Sequence, residues 1–453
     1  MQRTLKVVAA ALGLALAATG VQAQQTYVVQ ASSWGAAQEA AVRAAGGSVR
    51  FAHAASGVAV VEAANVDFSA LAAAAPALSS VSADRVVQWT PALRSVDASE
   101  NFGNPVDNRF YAGVQWAPQA VQAPEAWAMG FTGRGVRVAV IDGGIFNTHP
   151  DLAANVDSAA GRSFVPGPAG SCEVAFNCDT GSFWHGTHVA GIVAAINNGI
   201  GVVGIAPEAT IVPVKALHNG SGSFASIIQA VIYASTEGRA DIINMSLGAV
   251  FERGGREAAE LTSALNRALN FAARQGVLVV SSAGNDAIDV DHSGNLIVTP
   301  AESGNGIAIS ATGPEGFGYG ASNFRRFASY SNYGRSMVNV AGPGGDFNLA
   351  DTPTGNANCT KPIYNPAGTI TRPCWVFDMV LSTSRAGYSW AAGTSMSAPA
   401  ASAVAALIKQ KNPGISVGEL KNRLAQSADD EGKPGADPYY GRGFVNALKA
   451  VSR

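Results

Sequence analysis

Charge is scarce in this sequence, and neither sign is in clear excess. Charged residues make up 14% of the 453 residues, and the formal net charge is -2. Proteins that bind nucleic acid or anionic lipid surfaces usually carry a marked basic excess. The charge balance therefore gives no support to a nucleic-acid partner. The 47% hydrophobic content and the 51 glycines instead predict a compact, turn-rich protein with a large core.

Long apolar runs are also missing, apart from one at the N-terminus. Arg3 and Lys6 precede an apolar segment over 7–18, and small and polar residues then follow up to Ala23. This order is typical of a secretory signal peptide, and the run is too short for a comfortable membrane span. We therefore predict a signal peptide over 1–23 and bacterial export to an extracellular or periplasmic location. No later stretch predicts a membrane span.

Cysteine is limited to four residues, and none of them forms a C-x-x-C pair. The absence of that spacing weakens zinc-binding and thiol-redox interpretations. Four cysteines allow three pairings, and an exported protein favours disulfides. We expect the two local pairs, which close short loops and would brace them: Cys172–Cys178 and Cys359–Cys374.

The first part of the chain has the pattern of a small separate α+β unit. Between residue 24 and about 90, short β-branched runs alternate with two alanine-rich helical stretches at 36–45 and 68–75. The stretch 91–108 is rich in Asn, Asp, Ser and Pro. Such a composition predicts an exposed linker that is open to proteolysis.

The rest of the chain alternates apolar strands with amphipathic helices. Near-continuous β-branched runs separated by helices predict an α/β fold, with a parallel sheet covered by helices on both faces. Ligands of such sheets bind at the carboxyl ends of the strands. The clearest strands are 136–142, 210–217, 241–247, 277–282 and 307–311, with helices over 224–236 and 257–275.

An acid and a histidine are predicted at this edge of the sheet. Asp142 ends a strand and precedes two glycines, although this motif alone is equally typical of an Asx turn. His185 begins an apolar helix that runs to about residue 197, and the positive helix end disfavours the imidazolium form. His188 is interpreted as a core histidine. A His-x-x-His metal pair is the alternative, but no HExxH motif or carboxylate cluster supports it.

A serine and an amide complete the set. Ser395 precedes an apolar helix over 396–408, with Pro399 expected in the first turn, where a missing N–H costs nothing. Such a helix start favours negative charge, although an isolated serine there would be a simple cap. Asn285 follows another strand, and its amide can donate to an oxyanion. Acid, imidazole, amide and serine together are what acyl transfer requires.

These residues lie in motifs that closely resemble the subtilisin-like serine proteases, whose triad has the chain order Asp, His, Ser. The resemblance covers 111–451, and the leading unit resembles the family's inhibitory propeptide. It implies Asp142, His185 and Ser395 as catalytic triad and Asn285 as oxyanion donor. Gly143 stands where the family usually has Thr or Ser, so other donors would hold Asp142. The motifs are Asp142-Gly143-Gly144, His185-Gly186-Thr187-His188-Val189-Ala190-Gly191, Asn244-Met245-Ser246-Leu247-Gly248, Ala283-Gly284-Asn285 and Gly393-Thr394-Ser395-Met396-Ser397-Ala398-Pro399.

The resemblance also implies a peptide-binding cleft. An extended peptide would lie between two backbone edges, with Phe224 beside the pocket for the fourth residue before the cut. Ala283 and Gly284 would form part of the wall of the pocket that binds the residue just before the cut. No acidic residue is recognisable there, so we expect an apolar or broad preference. The two edges are Gly220, Ser221, Gly222 and Ser246, Leu247, Gly248.

A structural calcium ion is implied in the same way. The loop 196–202 resembles the family's strong calcium loop without insertion or deletion. Oxygen-only ligation of this kind suits Ca²⁺. Without the resemblance, a plain Asn-Gly turn would be the preferred interpretation. The implied ligands are the Asn198 side chain, the Asp151 carboxylate and the carbonyls of Ile196, Ile200 and Val202.

Together, these observations predict a secreted serine endopeptidase that removes its own propeptide. We expect a signal peptide over 1–23, a propeptide with its linker over 24–104, cut between about 90 and 108, and a peptidase domain over 105–453. Its partners would be protein or peptide substrates and its own propeptide as intramolecular inhibitor, and we expect a monomer. The rival interpretations are a catalytically dead binding or adhesion protein, a serine esterase or lipase, and a zinc protease. The filled catalytic positions oppose the first, and the absence of a Gly-x-Ser-x-Gly motif around Ser395 opposes the second.

Overall fold

The computed structural model describes residues 24–90, 94–97, 113–181, 183–351, 359–365, 368–385 and 387–452. The predicted signal peptide over 1–23 lies outside the described residues, as does most of the predicted linker over 91–108. Within the described part of the chain, no helix has both the length and the hydropathy needed to cross a membrane.

The leading unit is a four-stranded antiparallel sheet with two helices, in the strand order β2-β3-β1-β4. Side chains alternate between two cores because successive residues of a strand point to opposite faces. Val29 faces the unit's own helices, whereas Val28 faces the helices of the following domain. The elements are β1 (Gln25–Gln30), α1 (Ala36–Ala44), β2 (Gly47–His53), β3 (Val58–Ala63), α2 (Phe68–Ala73) and β4 (Ser80–Ala83).

Two short strands follow the unit and pair with the main domain. The first is β5 (Val86–Gln88) and the second is β6 (Ser95–Asp97). The described part of the predicted linker thus contains a strand, because the edge of a small sheet in the main domain supplies partners for its backbone groups.

The main domain contains the remaining elements. Its helices are α3 (Ala117–Ala120), α4 (Ala123–Ala128), α5 (His185–Ala194), α6 (Phe224–Ser235), α7 (Arg256–Arg274), α8 (Thr394–Lys411), α9 (Val417–Ser427) and α10 (Ala447–Ser452). Its strands are β7 (Arg137–Asp142), β8 (Arg162–Ser163), β9 (Thr210–Lys215), β10 (Ser221–Ser223), β11 (Ile242–Met245), β12 (Ala249–Glu252), β13 (Leu278–Ser282), β14 (Leu296–Thr299), β15 (Ile307–Gly313), β16 (Arg326–Phe327), β17 (Val338–Pro343), β18 (Thr360–Asn365), β19 (Gly368–Pro373), β20 (Val380–Thr383) and β21 (Tyr388–Ala391).

The central sheet has eight strands in the order β16-β15-β13-β11-β7-β9-β8, with β17 on β15. Its pairings are parallel except for the short β16. On β7, Val138 and Val140 pack into the core that contains α5 and α8, whereas Ala139 and Ile141 pack into the core of α6 and α7. The predicted α/β fold with helices on both faces of a parallel sheet is confirmed.

The helix that carries Ser395 begins earlier than the sequence predicted. It begins at Thr394, so Pro399 lies inside the helix and not in its first turn. A proline there leaves the carbonyl of Ser395, four residues before it, without its intrahelical N–H. The hydroxyl of Ser246 donates to that carbonyl instead, over 2.8 Å. The expectation for Pro399 was therefore wrong, because the side chain of Ser246, the residue after β11, supplies the missing donor.

Both predicted disulfides are present in the structure. Cys172 pairs with Cys178 and Cys359 with Cys374, so all four cysteines are bonded. The second disulfide joins the two ends of the antiparallel hairpin formed by β18 and β19. Each bridge therefore braces a loop inserted between elements of the main domain.

Candidate active site

The predicted acid and histidine form a hydrogen-bonded pair at the edge of the sheet. Asp142 is the last residue of β7 and His185 the first residue of α5. The imidazole Nδ1 lies 2.8 Å from Oδ2 and 3.0 Å from Oδ1 of the carboxylate. Asp142 is 1% exposed, and the Gly143 N–H donates to its Oδ1 over 2.6 Å. A backbone N–H thus takes the place of the hydroxyl that Gly143 lacks.

The electrostatic environment of His185 differs from the expectation based on the helix end. Burial is the largest single influence on the pKa of His185 and lowers it, but the charge and hydrogen bond of Asp142 and the charge of Asp179 together raise it by more. The net result is a pKa above the usual histidine value. The expectation that the helix end would disfavour the imidazolium form is not met, because the two carboxylates together outweigh burial.

Ser395 is the second residue of α8 and is almost completely buried. Helices α5 and α8 pack against each other, so His185 and Ser395 both belong to the N-terminal turns of contacting helices. In this structure the Ser395 hydroxyl donates to the carbonyl of Ser246 over 3.2 Å. The imidazole Nε2 of His185 is buried and has no hydrogen-bond partner among the described residues. The hydrogen bond between nucleophile and base is therefore not formed here.

Asn285 lies next to the serine with its amide orientation fixed. Its Oδ1 accepts hydrogen bonds from the N–H of Thr394 at 2.8 Å and from the Thr394 hydroxyl at 2.7 Å. Because the oxygen is engaged in this way, the Nδ2 group is left as a donor toward the cleft. A cavity of about 290 Å³ adjoins Ser395, Asn285 and Gly284. Asp286, whose side chain is exposed, also lines this cavity, although the sequence analysis recognised no acidic residue there.

The predicted peptide-binding edges contact a segment of the chain itself. Residues 86–90, called the cleft segment below, run antiparallel to β10. The N–H of Trp89 donates to Gly220 O over 2.8 Å, and the N–H of Gly248 donates to Trp89 O over 2.9 Å. The fully buried Trp89 indole lies 5.0 Å from the Phe224 ring in an edge-on contact and donates to Gly222 O. The structure thus brings members of both predicted edges and Phe224 together around one extended strand.

Two charged residues near the acid were missed from the sequence. A Cβ atom added at Gly143 would lie 2.8 Å from Oδ2 of Asp179, so this carboxylate fills the space of the absent side chain. Burial raises the pKa of Asp179 to about 6. The fully buried Lys215 donates to the carbonyls of Gly143 and Cys178. The only sequence signal for Asp179 is its position directly after Cys178.

His188 has the core role that the sequence analysis favoured. It is completely buried, and its Nε2 lies 2.9 Å from the Ser389 carbonyl. Burial lowers the pKa of His188 to about 3. Within the described residues, no group of three or more His, Cys, Asp and Glu side chains could hold a metal ion.

The predicted calcium loop surrounds a buried carboxylate. Asp151 is fully buried and accepts hydrogen bonds from the Val202 N–H, the Tyr388 hydroxyl and the Asn198 amide, all of them neutral. Burial raises the pKa of Asp151 to about 6. The N–H of Ile196 donates to the backbone carbonyl of Asp151, which ties the loop to this residue. A buried carboxylate with neutral partners and a side-chain amide beside it fits a hard cation such as Ca²⁺.

Comparison with known proteins places this site in a family. The model of the subtilase family matches residues 133–443. Subtilisin Savinase of Lederbergia lenta is 36% identical over 339 residues, which are 75% of this chain and 98% of that protein. Alkaline elastase YaB of Bacillus sp. (strain YaB) is 36% identical over 339 residues, which are 75% of this chain and 70% of that protein. The chain therefore belongs to the subtilase family, and with subtilisins as homologues it is a serine endopeptidase.

Solved structures agree with this assignment. A protease of Pseudoalteromonas arctica is 30% identical with a TM-score of 0.56, over 77% of this chain and 99% of that chain. The epidermin leader peptide processing serine protease of Staphylococcus aureus has a TM-score of 0.72 and 21% identity, over 95% of this chain and 98% of that chain. At that identity the likeness shows the fold alone. Its coverage is wider than 133–443 and includes the leading α+β unit.

Proposed function

We propose that the chain hydrolyses peptide bonds through Asp142, His185 and Ser395 and an acyl-enzyme intermediate. His185 Nε2 takes the proton of the Ser395 hydroxyl as its oxygen attacks the substrate carbonyl, and it then gives that proton to the leaving amine. Water then attacks the acyl-enzyme. His185 takes a proton from the water and returns one to the Ser395 oxygen as the acid product leaves. The observation that carries this proposal is the 2.8 Å pair between Asp142 and His185 Nδ1, which leaves Nε2 free to accept a proton.

The oxyanion that forms on the attacked carbonyl would be stabilised by Asn285. Its Oδ1 is engaged by Thr394, so the amide cannot rotate without losing two hydrogen bonds. A donor fixed before the reaction stabilises charge without reorganisation at the moment of attack. The start of α8 adds its dipole at the same place.

The substrate is proposed to be an extended polypeptide with an apolar or broad preference at the residue before the cut. The backbone hydrogen bonds of the cleft segment depend little on side chains. Leu247, Ala249, Val250 and Val298 give the cavity next to Ser395 an apolar lining. Asp286 also lines the cavity with an exposed side chain, so a broad preference would include basic residues.

The leading unit is proposed to be an intramolecular inhibitor that the enzyme cuts away. Its cleft segment occupies both predicted substrate edges, so a substrate cannot bind there at the same time. Phe224 is expected beside the pocket for the fourth residue before the cut, and Trp89 packs against it. Counting from Trp89 puts the cut between Ala92 and Leu93. This position is within the predicted range of 90–108 and earlier than the predicted boundary at 104.

A structural calcium ion is proposed at the loop 196–202. Asp151 and the side chain of Asn198 would hold it, together with the carbonyls of Ile196, Ile200 and Val202. When bound, the ion would contribute to stability and take no part in the reaction. Its charge would balance the buried carboxylate of Asp151, whose described partners are all neutral.

The mature protein is proposed to be a secreted monomer. The signal-peptide pattern over 1–23 and the two disulfides both suit an oxidising compartment outside the cytoplasm. A relative that is 33% identical over 350 residues is the minor extracellular protease Epr of Bacillus subtilis. The propeptide is the partner proposed to remain bound until it is degraded.

Casein digestion by the wild type and by Ser395→Ala tests the proposed chemistry. We expect the wild type to digest casein, to resist zinc chelators and to lose activity when a serine-directed phosphonyl reagent labels it once, at Ser395. The Ser395→Ala protein should neither digest casein nor be labelled. Ester hydrolysis without casein digestion would favour the lipase interpretation, and a wild type inert toward both substrates would favour the dead binding protein.

A further inference from the structure

We propose that Phe347 and Trp375 form a subsite for an arginine side chain on the leaving-group side of the cut. This inference rests on the proposed function, because it treats the chain that crosses the cleft as a bound substrate. The subsite would add a preference for one residue after the cut. Neither the motifs around Ser395 nor the pocket for the residue before the cut explains such a preference.

The first observation is the environment of Arg94. Its guanidinium carbon lies 5.4 Å from the ring centroid of Phe347 and 5.3 Å from that of Trp375. A guanidinium within about 6 Å of an aromatic face is attracted by the ring quadrupole. Arginine suits such a slot better than lysine, because its planar, weakly hydrated head stacks on rings. Two rings around one guanidinium form a recognition site for this side chain.

The second observation places Arg94 on the leaving-group side of Ser395. The N–H of Ala392, three residues before Ser395, lies 3.4 Å from the Arg94 carbonyl. The following residues form β6, which runs antiparallel to β21 at Ser389–Ala391. The cleft segment, by contrast, contacts Gly220 and Gly248. With the cut proposed after Ala92, Arg94 is the second residue beyond it.

The rings are held in place by the surrounding structure. Phe347 stacks on Tyr330 with ring centroids 5.3 Å apart, and the Tyr330 hydroxyl donates to the carbonyls of Gly344 and Gly345. Trp375 follows Cys374, whose disulfide closes the β18–β19 hairpin. A preorganised pair of rings loses little side-chain entropy when it binds a ligand.

Every protein in this experiment, including the reference called wild type below, is mature enzyme carrying Arg94→Ala, because a chain that begins at Leu93 keeps the arginine that occupies the slot. The peptides share one sequence except at the second residue after the cut. That residue is arginine, lysine or norleucine, and kcat/KM is measured for each peptide. We expect the wild type to favour arginine over norleucine roughly 5- to 30-fold, with lysine between them. Phe347→Leu and Trp375→Ala should each reduce the arginine-to-norleucine ratio of kcat/KM.

Phe164→Leu is the matched control, because Phe164 is an aromatic residue that packs on Tyr233 on another side of the domain. Its ratio should equal that of the wild type. Equal cleavage of arginine and norleucine peptides by the wild type would overturn the subsite and leave the peptidase proposal intact. An arginine preference that survives in both variants would also overturn it. Failure to cut any peptide would instead contradict the proposed function.

Discussion

At the scale of single residues, the imidazole of His185 faces two carboxylates. Asp142 is hydrogen-bonded to it, and Asp179 occupies the space that a side chain at residue 143 would fill. Lys215 donates to the Gly143 carbonyl, and its charge interacts with those of Asp142, Asp179 and Glu173. The charge next to the base is therefore set by a loop residue as well as by the triad acid.

Replacing Asp179 by Asn should shift the acid limit of activity to lower pH. Asp179 raises the pKa of His185, so its removal lowers that pKa. The base works only when it is neutral, and activity is lost as pH falls through its pKa. The Asp179→Asn enzyme should thus keep its kcat/KM at pH values where the wild type has already lost it.

The control is Asp289→Asn, which removes the partner of the exposed His292. Its pH profile of kcat/KM should match that of the wild type. An unchanged acid limit in Asp179→Asn, measured on folded enzyme, would contradict an electrostatic role for this carboxylate.

Asn285→Ala should slow the chemical step with little effect on substrate binding. The corresponding amide of a subtilisin is known to contribute a factor of about 10²–10³ to kcat, and we expect a loss of that order here. The measurement is kcat and KM on one peptide. A rise in KM at constant kcat would assign Asn285 to substrate binding instead.

At the scale of elements, the first turn of α8 depends on a hydrogen-bond donor just after β11, the hydroxyl of Ser246. Pro399 leaves the Ser395 carbonyl without an N–H partner, and the Ser246 hydroxyl supplies one. Both residues are buried, so the loss of this hydroxyl would leave the Ser395 carbonyl without a hydrogen-bond partner. This hydrogen bond links the position of the nucleophile to the end of β11 in the central sheet.

A double-mutant cycle tests this link. Ser246→Ala should lower the free energy of unfolding by about 1–3 kcal/mol in the Ser395→Ala background, which prevents self-digestion. Pro399→Ala restores an N–H that can serve the Ser395 carbonyl, so the same Ser246→Ala change should cost less in that background. Equal costs in the two backgrounds, measured by denaturant unfolding, would contradict the proposed exchange of donors.

The calcium site proposed at the loop 196–202 predicts how the stability of the mature enzyme depends on calcium. EDTA should lower its melting temperature, because the buried Asp151 carboxylate would lose its cation. Asp151→Asn should melt at a lower temperature and show no further response to EDTA. Asp291→Asn, whose carboxylate binds the loop at Arg335 and Ser336, should keep the full response. An unchanged melting temperature on adding EDTA to the wild type would contradict the site.

The apolar strands that lead to the site could be predicted from sequence, whereas the loop residues near the cleft could not. The strand that ends at Asp142 and the strand that precedes Asn285 are continuous apolar runs. Parallel strands end at one edge of a sheet, so the approach of these two residues follows from the pattern. Asp179, Phe347 and Trp375 lie in inserted loops without periodicity, where proximity to the cleft depends on tertiary packing. The early start of α8 depends on a partner that is distant in sequence, Ser246.

At the scale of the whole molecule, the leading unit contacts the main domain through two surfaces. Its sheet packs on α6 and α7, where Gln30 donates to the Glu260 carbonyl over 2.9 Å and Arg267 donates to the Ala31 carbonyl over 2.6 Å. The cleft segment continues from this surface into the substrate edges. A large parallel sheet folds slowly because its contacts are distant in sequence, and a docked unit on two of its helices would stabilise the folding intermediate.

The most direct test of the account is the N-terminal sequence of the purified protein from the wild type and from Ser395→Ala. We predict that the wild type begins at Leu93 and digests casein, whereas Ser395→Ala retains the residues from Gln24 onward, because Ser395 is the proposed nucleophile for the cut after Ala92. Identical processing of both proteins, or an active wild type that still begins at Gln24, would contradict the claim that the enzyme removes its own inhibitor through Ser395.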